Sequence, residues 1–437
     1  MRILVIGGGA AGMSAASWAR RKLPSAEITV LERTNIISHA PCGVPYYVGG
    51  LFSDPGLLQA YDVSFFKEKR NIDVYTGSEV LELDVKSRYA DAVVGGVRRR
   101  LEFDGLVIAT GARPKRLNLV GGPPVIYVHH PAEAESVKKQ LEAVNEVAIV
   151  GGGVLGVEMA EQLSELGKRV HLVHRGPHLM SRDLDRDLGE RLTRLVASSG
   201  VDVRLGETVV EASGRELRLS SGASLRADAV VAAVGVEPNV DIVRGQLRLG
   251  PHGAIEVDDR LSAGYDYVFA AGDVIEHRNL VTGGPDWKPL APIANKTGLI
   301  AGVNVAGGDK RFPGVLGDIV TKFNGVVFGR VGLNEAEAAR AGIRYVTSSI
   351  TTKSRARYYP GGGEVTVKLL ADEATGRIIG GQVAGPEEVV GRLGVIAAAI
   401  QSKMTAEDLF FVEIGYHPSS GRAWDPIVLA ARQLMRI

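Results

Sequence analysis

Short apolar runs without polar alternation, several of them closed by glycine, dominate the first three quarters of this chain. Ile3-Leu4-Val5-Ile6 runs into Gly7-Gly8-Gly9-Ala10-Ala11-Gly12, and a small-residue helix is predicted over 13–20. Such runs suit strands covered on both faces, as in a parallel sheet. A second run, Ile28-Thr29-Val30-Leu31, ends on Glu32 and Arg33. The pattern then recurs: a strand over 146–150, the loop Gly151-Gly152-Gly153-Val154-Leu155-Gly156, a helix carrying Glu158, and a strand over 170–173 that ends on His174 and Arg175.

Between and after these units, strands predicted within 103–108 and 227–234 run into glycine turns, Ala109-Thr110-Gly111 and Gly235-Val236-Glu237-Pro238. A buried strand over 267–271 closes on Gly272-Asp273, and Ala291-Pro292-Ile293-Ala294 opens a helix with proline in its first turn. From about Phe312 the texture changes. Strand-like runs at 326–328 and 364–369 alternate with turns, and helices are predicted over 387–402 and across the last dozen residues. This is an α+β unit with no nucleotide signature, suited to dimerisation.

The glycines carry the first chemistry. Gly7, Gly9 and Gly12 take the positions that allow a tight turn, close approach of a pyrophosphate and close helix–strand packing. Glu32 stands where an acid meets a ribose hydroxyl. Gly151, Gly153 and Gly156 repeat the fingerprint, so two dinucleotides are expected, a flavin paired with a nicotinamide. In the second unit His174 falls opposite Glu32 and Arg175 follows. With no acid for a 2′-hydroxyl and two potentially cationic groups for a 2′-phosphate, NADPH or use of both nicotinamides is expected over strict NADH.

Bulk properties narrow the setting. The 437 residues imply two or three domains, because single cores stop growing beyond ~250–300 residues. A net charge of +1 builds in no field for nucleic acid or a membrane surface. No apolar run approaches the ~20 residues of a membrane span, and the chain enters a strand at Arg2, leaving no room for a cleaved leader. Cys42 is the one cysteine, which excludes an internal disulfide and fits a reducing, cytoplasmic location. It lies in Ser38-His39-Ala40-Pro41-Cys42-Gly43-Val44-Pro45-Tyr46-Tyr47. A lone cysteine is commonly a buried structural residue, but a helix N-terminus or a cation beside it would make it a nucleophile. The basic triplet Arg98-Arg99-Arg100 reads as the exposed side of a hairpin strand.

Together these motifs resemble the two-dinucleotide flavoprotein disulfide reductases, over essentially the whole chain. The resemblance implies an α/β fold: two Rossmann-like dinucleotide-binding domains, for FAD and for NAD(P), plus a C-terminal α+β dimerisation domain. The expected boundaries are 1–112 with 245–312 for FAD, 113–244 for NAD(P), and 313–437 for dimerisation. It further implies that Asp273 bonds the flavin's ribityl chain and that the helix near Ala291 and Ala294 points at the isoalloxazine ring.

The cysteine selects the branch. Two-cysteine members place their pair five positions apart, whereas that second position here is Tyr47. The sequence is similar to the single-cysteine branch, which holds coenzyme A-disulfide reductases, NADH oxidases, NADH peroxidases and sulfur or persulfide reductases. The motif around Cys42, Pro289-Leu290-Ala291-Pro292, Tyr358-Tyr359-Pro360-Gly361 and Trp424-Asp425-Pro426 match the coenzyme A-disulfide reductase type. Ala10 occupies the position where oxidases and peroxidases typically carry a histidine.

By the same resemblance, coenzyme A is a substrate or a Cys42 adduct, met by Ser38, Arg21 and Arg70, and Arg20, in the basic end of the first helix, is a further candidate for its phosphates. Tyr358 or Tyr359, with Tyr416, would come from the partner subunit of a homodimer to stand beside the cysteine. One departure is Tyr416-His417-Pro418-Ser419, where the branch usually reads Ala-Pro-Pro after the tyrosine, so His417 is a second candidate acid. Glu158 matches a position near the nicotinamide. The expected activity is NAD(P)H-dependent reduction of coenzyme A disulfide, extending to its persulfide or to polysulfide. Two rivals remain: an NAD(P)H oxidase cycling Cys42 through a sulfenate, and a flavin redox sensor or electron-transfer protein.

Overall fold

A computed structural model describes residues 1–435, and it places the two glycine signatures on matching parallel sheets. Arg2–Ile6 lies between Glu27–Leu31 and Gly105–Ile108, with Ile3 opposite both Ile28 and Gly105. Asp73–Tyr75 extends one side and Val268–Ala270 the other, and Ser262–Tyr265 adds the single antiparallel edge. In the second sheet Glu146–Val150 lies between Arg169–His174 and Ala229–Ala232, flanked by Asp202–Leu205 and Val125–Ile126, all parallel. Residues 3–6 and 147–150 are buried, as unalternated apolar strands must be.

Helices α1 (Ala10–Lys22), α2 (Val44–Val48), α3 (Val63–Arg70), α4 (Val154–Glu165) and α5 (Ala291–Val305) position the candidate site. α1 starts three residues earlier than predicted because Ala10 and Ala11 are already helical. α5 packs on α1 almost backbone to backbone. A Cβ on Gly298 would stand 2.3 Å from the Ala11 carbonyl oxygen, and one on Gly302 would stand 2.1 Å from that of Ala15. Only glycine permits this approach, which brings the start of α5 to the first glycine loop.

The buried apolar residues form separate cores. The first draws on residues 3–109 and 240–306, so the chain leaves this unit and returns to it. The second is built from residues 126–231, joined by Val44, Tyr47, Val48 and Leu58. α2 is too short to be stable alone, since isolated helices below ~12 residues are marginal. Burial of its apolar face against the second core holds it, and that places Cys42, just upstream, at the seam between the two units.

The C-terminal unit is an antiparallel sheet ordered Ile319–Phe323, Val326–Gly332, Ile378–Gly385, Glu364–Asp372, Tyr345–Lys353. Val389–Gln401 and Pro426–Leu434 supply the predicted helices, and residues 436–437 of that prediction lie outside the described residues. Buried Lys368 ties this unit to the second, its ammonium 3.1 Å from Asp185, 3.0 Å from Asp187 and 2.6 Å from Glu335. The basic triplet lies on the exposed hairpin strand Val97–Glu102, where Arg98 and Arg100 both pair with Asp91. Among the described residues no helix is long and apolar enough to cross a membrane.

Candidate functional site

The two glycine loops are built alike to the ångström. A Cβ on Gly12 would lie 1.8 Å from the Gly7 carbonyl oxygen, and one on Gly156 would lie 1.8 Å from that of Gly151. Each helix therefore begins with its N-terminal amides against an open cradle, the geometry that receives a diphosphate. Ala10 and Ala11 open α1, and Val154 and Leu155 open α4. Glu32 is buried. One of its oxygens accepts the Gly8 N–H at 2.8 Å, and the other accepts the Thr34 N–H at 2.7 Å. Arg33, beside it, is exposed.

Around the first loop, Ala109, Thr110 and Gly111 are bound to the segment that follows Gly235. Asn239 donates its side-chain amide to the Thr110 carbonyl at 2.9 Å, and the Thr110 hydroxyl donates to the Asn239 carbonyl at 2.7 Å. Gly272 donates its N–H to the Thr297 hydroxyl of α5 at 3.0 Å. Burial pushes the adjacent Asp273 carboxyl up to about 6. A largely desolvated carboxyl of this kind suits hydrogen bonding to hydroxyls, and these residues together fit a dinucleotide. On α5, Ala291 is exposed and Ala294 buried, with the Ala294 amide already bonded to the Leu290 carbonyl. What α5 offers the loop is therefore its dipole, not that amide.

In the second loop His174 does the work of Glu32. Its Nδ1 accepts the Gly152 N–H at 3.1 Å, and its Nε2 lies 3.1 Å from the Ser181 hydroxyl. Burial, reinforced by His178 and by Arg175 and Arg182, holds the ring below its usual range. The expectation of two cations is corrected accordingly. His174 is a neutral strut of the loop, and exposed Arg175 carries the charge.

Cys42 is exposed, in the turn Pro41–Gly43 that leads directly into α2. One helical turn later, the Tyr46 hydroxyl faces the Glu158 carboxyl of α4. Burial pushes Glu158 up to about 7, with Glu161 adding to the shift and Tyr46 opposing it. Burial also raises Tyr46, aided by Glu158, Glu161 and Cys42. The pair connects the second glycine loop to the cysteine turn.

Between α1 and α3, a cleft of about 570 Å³ is lined by Ser17, Arg20, Arg21, Phe65, Glu68, Lys69 and Arg70. Phe65 also walls a neighbouring hollow of about 380 Å³ that includes Gln59 and Tyr61. Arg21 stacks 4.5 Å over Trp18, and Arg70 5.4 Å over Phe65. Arg20 is different. Its guanidinium donates to the carbonyls of Arg70, Pro24, Ala26 and Asn71. It ties α1 to the end of α3 and is not a free phosphate ligand, which corrects that expectation. Ser38 adopts a left-handed backbone (φ 49°) and donates its N–H to the Gly8 carbonyl at 2.8 Å.

In the C-terminal unit the exposed hydroxyls of Tyr358 and Tyr416 lie 2.9 Å apart. Tyr359 stands outside this pair, so Tyr358 is the member the fold singles out. His417 is exposed, with Nδ1 2.9 Å from the Ser419 hydroxyl and, among the described residues, no carboxylate bonded to its ring. Sequence reasoning missed the histidines at 39, 129 and 130, which the fold brings together beside the first loop. The pair His129-His130 lies in a connection whose destination no local pattern reveals.

The family described as "Pyridine nucleotide-disulphide oxidoreductase" matches residues 1–298, and its dimerisation domain matches 320–426. The NAD(P)H coenzyme A polysulfide/persulfide reductase of Pyrococcus horikoshii is 38% identical, over 99% of this chain and 98% of its own. The NADH oxidase of Methanocaldococcus jannaschii is 31% identical, over 100% of this chain and 99% of its own. The solved structure of a NAD-dependent persulfide reductase from A. fulgidus superimposes with a TM-score of 0.95 at 34% identity, covering 99% of this chain and 83% of that one.

Proposed function

The chain belongs to the pyridine nucleotide-disulphide oxidoreductase family, and from that premise we propose an FAD-dependent NAD(P)H reductase of coenzyme A disulfide or persulfide that works through Cys42. The observation that carries this reading is the position of the only cysteine. It is exposed, in the turn that leads into α2 at the seam of the two nucleotide units. No second cysteine exists to form an internal disulfide, so the substrate must supply the other sulfur.

The first loop, with Glu32, Arg33, Thr110 and Asp273, would hold FAD, which supplies two-electron chemistry between nicotinamide and sulfur when bound. The second loop, with Arg175, would hold NAD(P)H. We read the units as 1–112 with 245–312, 113–244 and 313–437, the last a dimerisation domain. The chain acts as a homodimer in the cytoplasm, in keeping with one free thiol.

The Cys42 thiolate attacks one sulfur of coenzyme A disulfide. An S–S bond forms to Cys42 as the original one breaks, and one coenzyme A thiolate leaves. Two electrons from NAD(P)H then cleave the mixed disulfide, restoring the Cys42 thiolate and releasing the second coenzyme A. One proton is consumed in all: NAD(P)H, H⁺ and the disulfide give NAD(P)⁺ and two thiols. With a persulfide the products are one thiol and hydrogen sulfide. Arg21, Arg70 and Ser38 would bind the coenzyme. Tyr358 and Tyr416 of one subunit would stand beside Cys42 of its partner, where a hydroxyl protonates the leaving thiolate. Tyr359 and His417 are the alternative proton sources. Glu158, through Tyr46, holds a proton between the nicotinamide side and the cysteine turn.

The test is intact mass of the purified protein before and after dithiothreitol, beside Cys42→Ser. A reducible adduct of one coenzyme A, absent from the variant, is the expected result. A bare or singly oxygenated cysteine would move the assignment to the second reading, an NAD(P)H oxidase cycling Cys42 through a sulfenate. The likeness to an NADH oxidase favours that reading, and Ala10, with no proton to handle, opposes it.

A further inference from the structure

Positive φ at Ser38 turns the next side chain inward over the first glycine loop. The space that a side chain on Gly9 would fill has only His39 within 4 Å, its Nε2 at 3.6 Å and its Cε1 at 3.7 Å. The other ring nitrogen, Nδ1, is buried without a hydrogen-bond partner among the described residues. The ring meets that of His130 edge-on, with centroids 4.3 Å apart. Gly9 caps α1, so the imidazole faces the side of the cradle from which a diphosphate approaches the helix N-terminus.

We infer that His39 is a ligand of the flavin diphosphate, its Nε2–H donating to a phosphate oxygen, and that FAD binding draws a proton onto its ring. This rests on the first loop being the flavin site. The groups facing His39 decide the sign. Glu32, at the end of its strand, favours the charged ring. His129 and His130, from the connection before Pro131, oppose it, and Glu133 lies beyond them. Burial is the largest influence and favours the neutral ring. A diphosphate at contact distance with Nε2 adds negative charge beside the ring and reverses the balance. His130 stays neutral, pushed down to about 4 by burial and by His39, so the pair does not carry two charges. His129 is bound through Nε2 to the Ala112 carbonyl at 3.0 Å and does not reach the cradle.

Binding that takes up one proton weakens up to tenfold per pH unit across the window between the free and bound pKa of the ring. The experiment dilutes the holoenzyme to equilibrium at pH 6.0 to 8.5, separates free FAD by ultrafiltration and measures its fluorescence. Wild type should lose FAD affinity by about tenfold or more from pH 6 to 8. His39→Gln keeps a neutral donor and should flatten that dependence, matching wild type most closely at high pH. His130→Gln, which touches the cluster but not the cradle, should keep the slope. Asp273 also titrates near the flavin, and the difference between wild type and His39→Gln cancels its contribution. Equal slopes in wild type and His39→Gln, or no slope in wild type, would overturn the inference. A protein that retains no FAD at any pH would overturn the flavoprotein reading instead.

Discussion

Glu158 and Tyr46, on helices from different nucleotide units, face each other one turn beyond the only cysteine. Neither residue is near the other in sequence. Their contact exists because α2 buries its apolar face on the core that α4 helps to build.

This pair predicts a pH dependence. The folded Glu158 carboxyl releases its proton near 7, whereas an unfolded glutamate does so near ~4.3. Between those values the native state binds more protons, so this group's contribution to stability falls as pH rises through the window. Glu158→Gln should therefore raise the melting temperature at pH 8 and change it little at pH 4. The same substitution should remove an inflection near pH 7 from kcat/KM for NAD(P)H.

The Tyr358–Tyr416 hydroxyl pair should matter for thiol release and not for coenzyme binding. Phe at either position is expected to lower kcat about tenfold or more, within the ~10²–10⁴ that general acids supply, with KM little changed. Stopped-flow release of coenzyme A thiol measures this step. Tyr359→Phe, outside the pair, should leave kcat within about twofold.

Nicotinamide preference should follow Arg175 and not His174. Arg175→Ala removes a charge-assisted contact of ~1.5–3 kcal/mol, so the ratio of KM for NADPH to KM for NADH should rise about tenfold or more. His174→Gln keeps a side-chain acceptor for the Gly152 N–H and should change that ratio by less than about threefold.

Lys368 should be needed for the docking of the C-terminal unit. Burial disfavours its ammonium, but Glu335, Asp185 and Asp187 together outweigh that and keep it charged. Lys368→Met leaves Asp185 buried and unpaired, a loss of ~3–5 kcal/mol. Urea unfolding followed by far-UV circular dichroism should show the midpoint fall accordingly.

The glycine loops, their strands and the acid at Glu32 were legible because each depends on neighbours in sequence. A backbone that must pass 1.8 Å from where a Cβ would sit demands glycine at Gly12 and Gly156 in any context. The apolar runs similarly announce strands buried on both faces, and the lone Cys42 announces that any disulfide partner comes from outside. Arg20 was misread because nothing local says where a guanidinium points. The approach of residues 70 and 71 to the end of α1 adds two carbonyls to those of Pro24 and Ala26 and so uses up its donors. His174 was misread for a related reason, since its role depends on a loop amide 22 residues away and on burial that lowers its affinity for a proton. The sequence by itself determined which backbone segments form two nucleotide cradles and that one thiol serves them. The tertiary structure decided which side chains keep their charge, because desolvation and partner geometry arise only when distant segments pack.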